Sequence, residues 1–268
     1  MRTLIKVGVS MLLLGLVLIG LSYSMLRAEG ISNPASAAGR AVRAEKREIG
    51  KGISSVDLSG PIDLTLSQGA TPSMRVRGEQ RLLANIDTTQ DGETLHIGTK
   101  GMLFHHRHPL QVELVLPSLQ QLDVHGSGDS SVNGFSGERF RLQLNGSGNV
   151  TFNGRFKNIV GGLHGSGDLN LNGGNSDKVE LEIIGSGQIT SSGSTRSLEA
   201  QMTGSGDLDA EHLAADKVTM SLQGSGTANV FAKEAAELTL RGSGDIQIHG
   251  NPSQRSVSRS GSGEVKWD

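Results

Sequence analysis

From Leu122 to Trp267, apolar and polar residues alternate, and Gly-Ser-Gly interrupts the alternation at regular intervals. The triplets begin at Gly126, Gly146, Gly165, Gly185, Gly204, Gly224, Gly242 and Gly261, with separations of 20, 19, 20, 19, 20, 18 and 19 residues. Two and four residues before them stand Val124 and Leu122, Leu144 and Leu142, Ile183 and Leu181, Met202 and Ala200, Leu222 and Met220, and Leu240 and Leu238. Four and six residues after the first glycine come Val150 and Phe152, Leu169 and Leu171, Leu208 and Ala210, Ala228 and Val230, Ile246 and Ile248, and Val265 and Trp267. A period of two on both sides of each triplet predicts strands with one buried face. The glycine density excludes helices. Each repeat therefore reads as strand, Gly-Ser-Gly corner, strand and a variable second corner, which Gly134, Gly154, Gly173, Gly193 or Gly250 often opens.

No such repeat can bury its apolar face alone, whereas stacked coils join their faces into one core. The expected architecture is an all-β parallel β-helix (β-solenoid) with coils of about 19–20 residues. Eight coils stacked at about 4.8 Å would make a column roughly 35 Å long. Ser130 in the first coil and Arg259 in the last break the apolar stripe, as terminal repeats do. Residues 53–120 also alternate, without the triplet, and read as irregular first coils or a β cap; residues 121–268 form the repeat region.

The triplet glycines are expected to turn corners where coils approach closely. They are Gly126 and Gly128, Gly146 and Gly148, Gly165 and Gly167, Gly185 and Gly187, Gly204 and Gly206, Gly224 and Gly226, Gly242 and Gly244, and Gly261 and Gly263. No helix follows them, so they are not a phosphate-cradling loop. The central serines, Ser127 and Ser166 among them, have no base and acid at fixed spacing, as a nucleophile requires. Hydroxyls bonding along the column are the expected use.

After each triplet stands a polar residue, and in every second coil it is aspartate: Asp129, Asp168, Asp207 and Asp245. Carboxylates about 9–10 Å apart cannot share a calcium ion, which takes six to eight oxygens. The nine-residue calcium-binding repeat is also absent. Short side chains bonding nearby backbone amides are the expected role, so no metal and no cofactor is assigned. His106 and His108 in "FHHRH" could share one strand face but lack further ligands, and read as a loop tip. His125 and His164 read as solvated corner residues.

Composition sharpens this picture at three points. There is no cysteine, which excludes disulfides and a lipidated N-terminus. No basic block occurs, which excludes nucleic acid as partner. Arg2 and Lys6 precede an apolar stretch from Val7 to Leu26, so residues 1–37 read as a signal peptide or an uncleaved membrane anchor. Membrane contact is expected only through that segment, if it stays attached. Without those residues the chain has 22 basic and 26 acidic side chains, a formal charge of −4. Residues 38–52 read as a mobile linker.

"VDLSGPIDLTLSQG", "LLANIDTTQDGETLHI" and "LPSLQQLDVHGSGD" with its repeats resemble the putative auto-transporter adhesin, head GIN domain family, over about residues 53–268. The resemblance implies an exported, right-handed parallel β-helix, a role in adhesion and no transferable catalytic residue. An autotransporter's membrane barrel of amphipathic strands is not expected, since the repeat pattern runs to Trp267 within the eighth coil. The expectation is a non-enzymatic exported envelope protein, periplasmic or at the cell surface, acting as an adhesin or a binding or structural module. Its partner would be a protein or glycan of unknown identity. A carbohydrate-active enzyme and a membrane-anchored regulatory protein are the alternatives.

Overall fold

The strands that follow the triplets stack copy upon copy. The structure, a computed structural model, describes residues 41–101 and 108–268. The proposed signal or anchor segment and His106 lie outside the described residues. β8 (Gln121–Gly126) ends on the first triplet, and β9 (Ser130–Gly146), β10 (Asn149–Gly165), β11 (Asp168–Gly185), β12 (Gln188–Gly204), β13 (Asp207–Gly224) and β14 (Thr227–Gly242) each run from one triplet to the next. β15 (Asp245–His249), β16 (Gln254–Gly261) and β17 (Glu264–Trp267) complete the column. Neighbours pair in parallel with equivalent residues side by side: Leu163 with Ile183, Ile183 with Met202, Met202 with Leu222, Leu222 with Leu240. The protein is a β-solenoid of about 7 turns.

The second corner is less of a break than the sequence implies. Strand pairing continues through it with a register shift, as between Asn172 and Asn175 or Ala210 and Ala214. A short middle segment there places a third residue inward: Phe156, Ser176, Thr195 and Ala215 are buried. Toward the N-terminal end this space is filled by Phe140, Phe152 and Phe156, whose rings stack at 4.4 and 5.1 Å. Farther along, Ala210, Ala215, Ala228 and Ala232 occupy the interior. Each fully buried phenylalanine contributes about 1.5–3 kcal/mol of burial.

The N-terminal region is both coil and cap. β2 (Ser55–Ser59) and β3 (Ile62–Gln68) make one coil, and β6 (Thr94–Thr99) and β7 (Leu110–Leu116) make another. β2 pairs in parallel with both β6 and β8, and β3 with both β7 and β9. Residues 55–68 are thus inserted between two coils that come later in the chain. Gly60 donates its N–H to His125 O (2.8 Å) and underlies Gly126, so the column of corners begins at Gly60-Pro61. Antiparallel strands close the edges: β5 (Ile86–Asp91) on β6, β4 (Ser73–Glu79) on β7, and β1 (Val42–Arg47) on β4. A short helix, α1 (Gln80–Leu83), follows β4, and Arg47 Nη2 donates to Leu83 O (2.9 Å). Residues 42–47 are therefore a strand and not part of a linker. An edge strand needs only backbone pairing, so its exposed, charged composition looks like a linker's.

The C-terminal end is blunted differently. β16 pairs on one side only and is exposed along its whole length. Arg255, Val257 and Arg259 stand in register with the buried Ala236, Leu238 and Leu240. Arg255 lies 4.5 Å over the Trp267 ring, and Arg259 Nη1 donates to Gly263 O (3.1 Å). Inward-pointing charge discourages another strand from extending the sheet.

Candidate functional site

Three features of the column can carry chemistry: its corners, the polar row beside them, and a groove on one sheet face. At the corner, Gly165 has φ +134°, and a Cβ there would strike the Gly146 carbonyl. A Cβ on Gly167 would strike the Gly148 carbonyl. Ser166 N–H donates to Gly146 O (3.0 Å), and Asp168 N–H to Gly148 O (3.1 Å). The same close approach recurs at every triplet down to Gly261 and Gly263. Backbone therefore packs directly on backbone along this edge. The serine hydroxyls contribute less than expected. Ser243 Oγ and Ser262 Oγ lie 3.1 Å apart, but most of the inter-coil bonding comes from the serine N–H groups.

In the polar row, the N–H groups of Asp168, Gln188, Asp207 and Asp245 donate to the carbonyl of the second glycine in the preceding triplet. Thr227 and Glu264 instead donate to the carboxylates of Asp207 (3.2 Å) and Asp245 (3.1 Å). Asp129 N–H donates to Asp63 Oδ1 (3.1 Å), which carries the row back into the inserted coil, and Asn149 Nδ2 donates to Asp129 Oδ1 (3.0 Å). Asp207 and Asp245 thus take the amide that the glycine carbonyl does not. Asp168 makes its inter-coil bond through its backbone, and its residue surface is exposed. Among the described residues, no group of three or more His, Asp or Glu side chains is placed to hold a metal.

The groove lies on the outward face of the residues that precede each triplet. One row across the strands runs Arg141, Val160, Glu180, Glu199, Thr219; the next runs Gln143, Gly162, Glu182, Gln201, Ser221. These residues line a depression of about 460 Å³. Its cause is local. Gly161 points inward, where Leu171 and Leu181 fill the missing side chain's place, and Gly162 puts no side chain of its own on the outer face. The Gln143 amide lies across Gly162, and its Nε2 is buried with no hydrogen-bond partner.

Charge in the groove is partly paired. Lys178 Nζ is 2.8 Å from both Glu180 and Glu199. Hydrogen bonds from Glu180 first, then Glu199, hold the ammonium pKa above its ordinary 10.5. Glu182 has His164 Nε2 at 3.5 Å and, among the described residues, pairs with no lysine or arginine. His125 is exposed at the equivalent corner position two coils away. The alternating stripe does not reveal this groove. Its only trace in the sequence is "VGG" at 160–162, where glycine takes both an inward and an outward position in mid-strand.

Known structures share this architecture. A putative adhesin from Parabacteroides distasonis aligns with a TM-score of 0.80 at 22% identity, over 86% of this chain and 98% of its own. A putative adhesin from Bacteroides fragilis aligns with a TM-score of 0.66 at 20% identity, over 86% and 99%. A second Parabacteroides distasonis protein, described as a putative lipid binding protein, gives 0.77 at 22% identity, over 85% and 96%. At these identities the likeness establishes the fold. A search of curated proteins gives no match. The family profile described as "Putative auto-transporter adhesin, head GIN domain" matches residues 53–252, which covers the inserted coil, the cap and most of the repeats. The chain belongs to that family.

Proposed function

We propose that this protein is an exported, non-enzymatic binding module of the bacterial cell envelope that works as an adhesin. The observation that carries this reading is the rigid outward sheet face, whose backbone is fully committed to its ladders and whose side chains are free to contact a partner. Family membership and the basic, then apolar, N-terminal segment support it. An enzyme is disfavoured by the carboxylates themselves. Glu180, Glu182 and Glu199 are 45%, 47% and 49% exposed, without the burial that makes a general acid. Lipid binding would need an apolar cavity, and Phe140, Phe152 and the stacked leucines fill the interior. No described helix is long and apolar enough to cross a membrane.

Protease treatment of intact cells, followed by fractionation, tests the reading. Digestion of the repeat region on intact cells is expected. Complete protection with retention in the membrane fraction would contradict adhesion and favour an anchored regulatory role.

A further inference from the structure

Gly162 is not demanded by the fold. Its φ lies outside the left-handed region, and a Cβ there would first meet the movable end of the Gln143 side chain. A glycine in mid-strand weakens the strand and leaves a hole in its surface. Here the hole is lined by side chains that end in amides, carboxylates, a guanidinium and hydroxyls.

We infer that the Gly162 groove is a binding subsite for a neutral, polyhydroxylated glycan. The inference rests on the binding-module reading and names its ligand class. Gly162 is paired to Gln143 on one side and Glu182 on the other, so no backbone group is open to an extended peptide. Recognition falls to Arg141, Gln143, Glu182, Gln201 and Ser221, set in rows whose successive strands are about 4.8 Å apart. Such groups donate to and accept from adjacent hydroxyls, each of which does both. The unpartnered Gln143 Nε2 supplies a donor that the fold itself does not use. Val160, partly exposed beside the two glycines, offers a small apolar floor for the C–H face of a sugar ring. Charge selects among glycans. Lys178 ties up Glu180 and Glu199, while Glu182 faces the groove with only His164 beside it, which disfavours acidic sugars. The groove contains no aromatic ring, so single-site affinity is low and binding depends on multivalent display.

The test uses the full chain, purified from its exporting host, on an array of multivalently displayed neutral oligosaccharides, uronate-containing oligosaccharides and extended peptides. Binding to neutral glycans is expected. Gly162→Thr, which fills the groove with a residue that favours strands, should weaken that binding roughly tenfold or more, with its thermal midpoint unchanged or higher. Glu182→Ala, at a half-exposed position, should weaken binding as well; Thr239→Ala, on the same face but outside the groove, should not. An array with no neutral glycan bound, a preference for uronates or peptides, or full binding by Gly162→Thr would each overturn the inference. A blank array with cells that still adhere through this protein would overturn the glycan assignment and leave the adhesin reading standing.

Discussion

Two kinds of glycine occur in this column, and they differ in what surrounds them. At the corners, a Cβ on Gly185 or Gly187 would meet the backbone carbonyl of Gly165 or Gly167, which cannot move without unstacking the coils. In the groove, a Cβ on Gly162 would meet the end of a glutamine side chain, which can swing away. The first kind is imposed by architecture. The second is a vacancy that the fold tolerates and does not need. A glycine-rich repeat therefore says little about function by itself; the informative glycine is the one outside the repeat.

The largest effect should come from a corner. Gly185→Ala combines a residue forced to φ +129° with overpacking against the Gly165 carbonyl. The expected cost is about 3 kcal/mol, a fall in thermal midpoint of roughly 6–12 °C by calorimetry. A fall of under about 2 °C would mean that the coils can separate locally and the corner is not an obligatory contact.

Asp207→Ala should act more gently. It removes the acceptor for Thr227 N–H at an exposed position, a loss of about 0.5–1 kcal/mol in urea unfolding. Calcium titrated into wild type and variant should give the same heats. A calcium-dependent heat lost on substitution would turn the polar row from a structural feature into a binding one.

The smallest effect lies at the rim of the groove. Folding raises the Lys178 pKa, so its bonds to Glu180 and Glu199 stabilise fully below the ordinary 10.5 and fade as pH rises through the raised value. Both groups face solvent, so Lys178→Met should lower the midpoint only slightly at neutral pH. The difference from wild type should shrink as pH rises through the raised value, and one that grew with pH would contradict the pairing.

Much of this was legible in the sequence, for a physical reason. A solenoid repeats its constraints, so the steric demand at Gly165 and Gly167 is written again at each triplet, and the stripe from Leu142 to Leu240 repeats with it. What escaped were features without a period. The insertion of β2 and β3 between β6–β7 and β8–β9 depends on pairing between distant segments, and no local pattern encodes it. The third inward position shifts by a residue between coils, from Phe156 to Ser176, which hides it from a fixed count. The groove depends on which residues align across strands, and Gln143, Gly162 and Glu182 become neighbours only once the register is known.

The measurement that bears most directly on the contrast between the two glycines is the thermal midpoint of Gly162→Ala, taken beside Gly185→Ala. If the groove glycine is a vacancy the fold does not require, the variant should match wild type or gain about 0.5–1 kcal/mol, because alanine restricts the unfolded chain and suits a strand better. A fall in midpoint comparable to that of Gly185→Ala would show that Gly162 is structural like the corners, and would contradict the account.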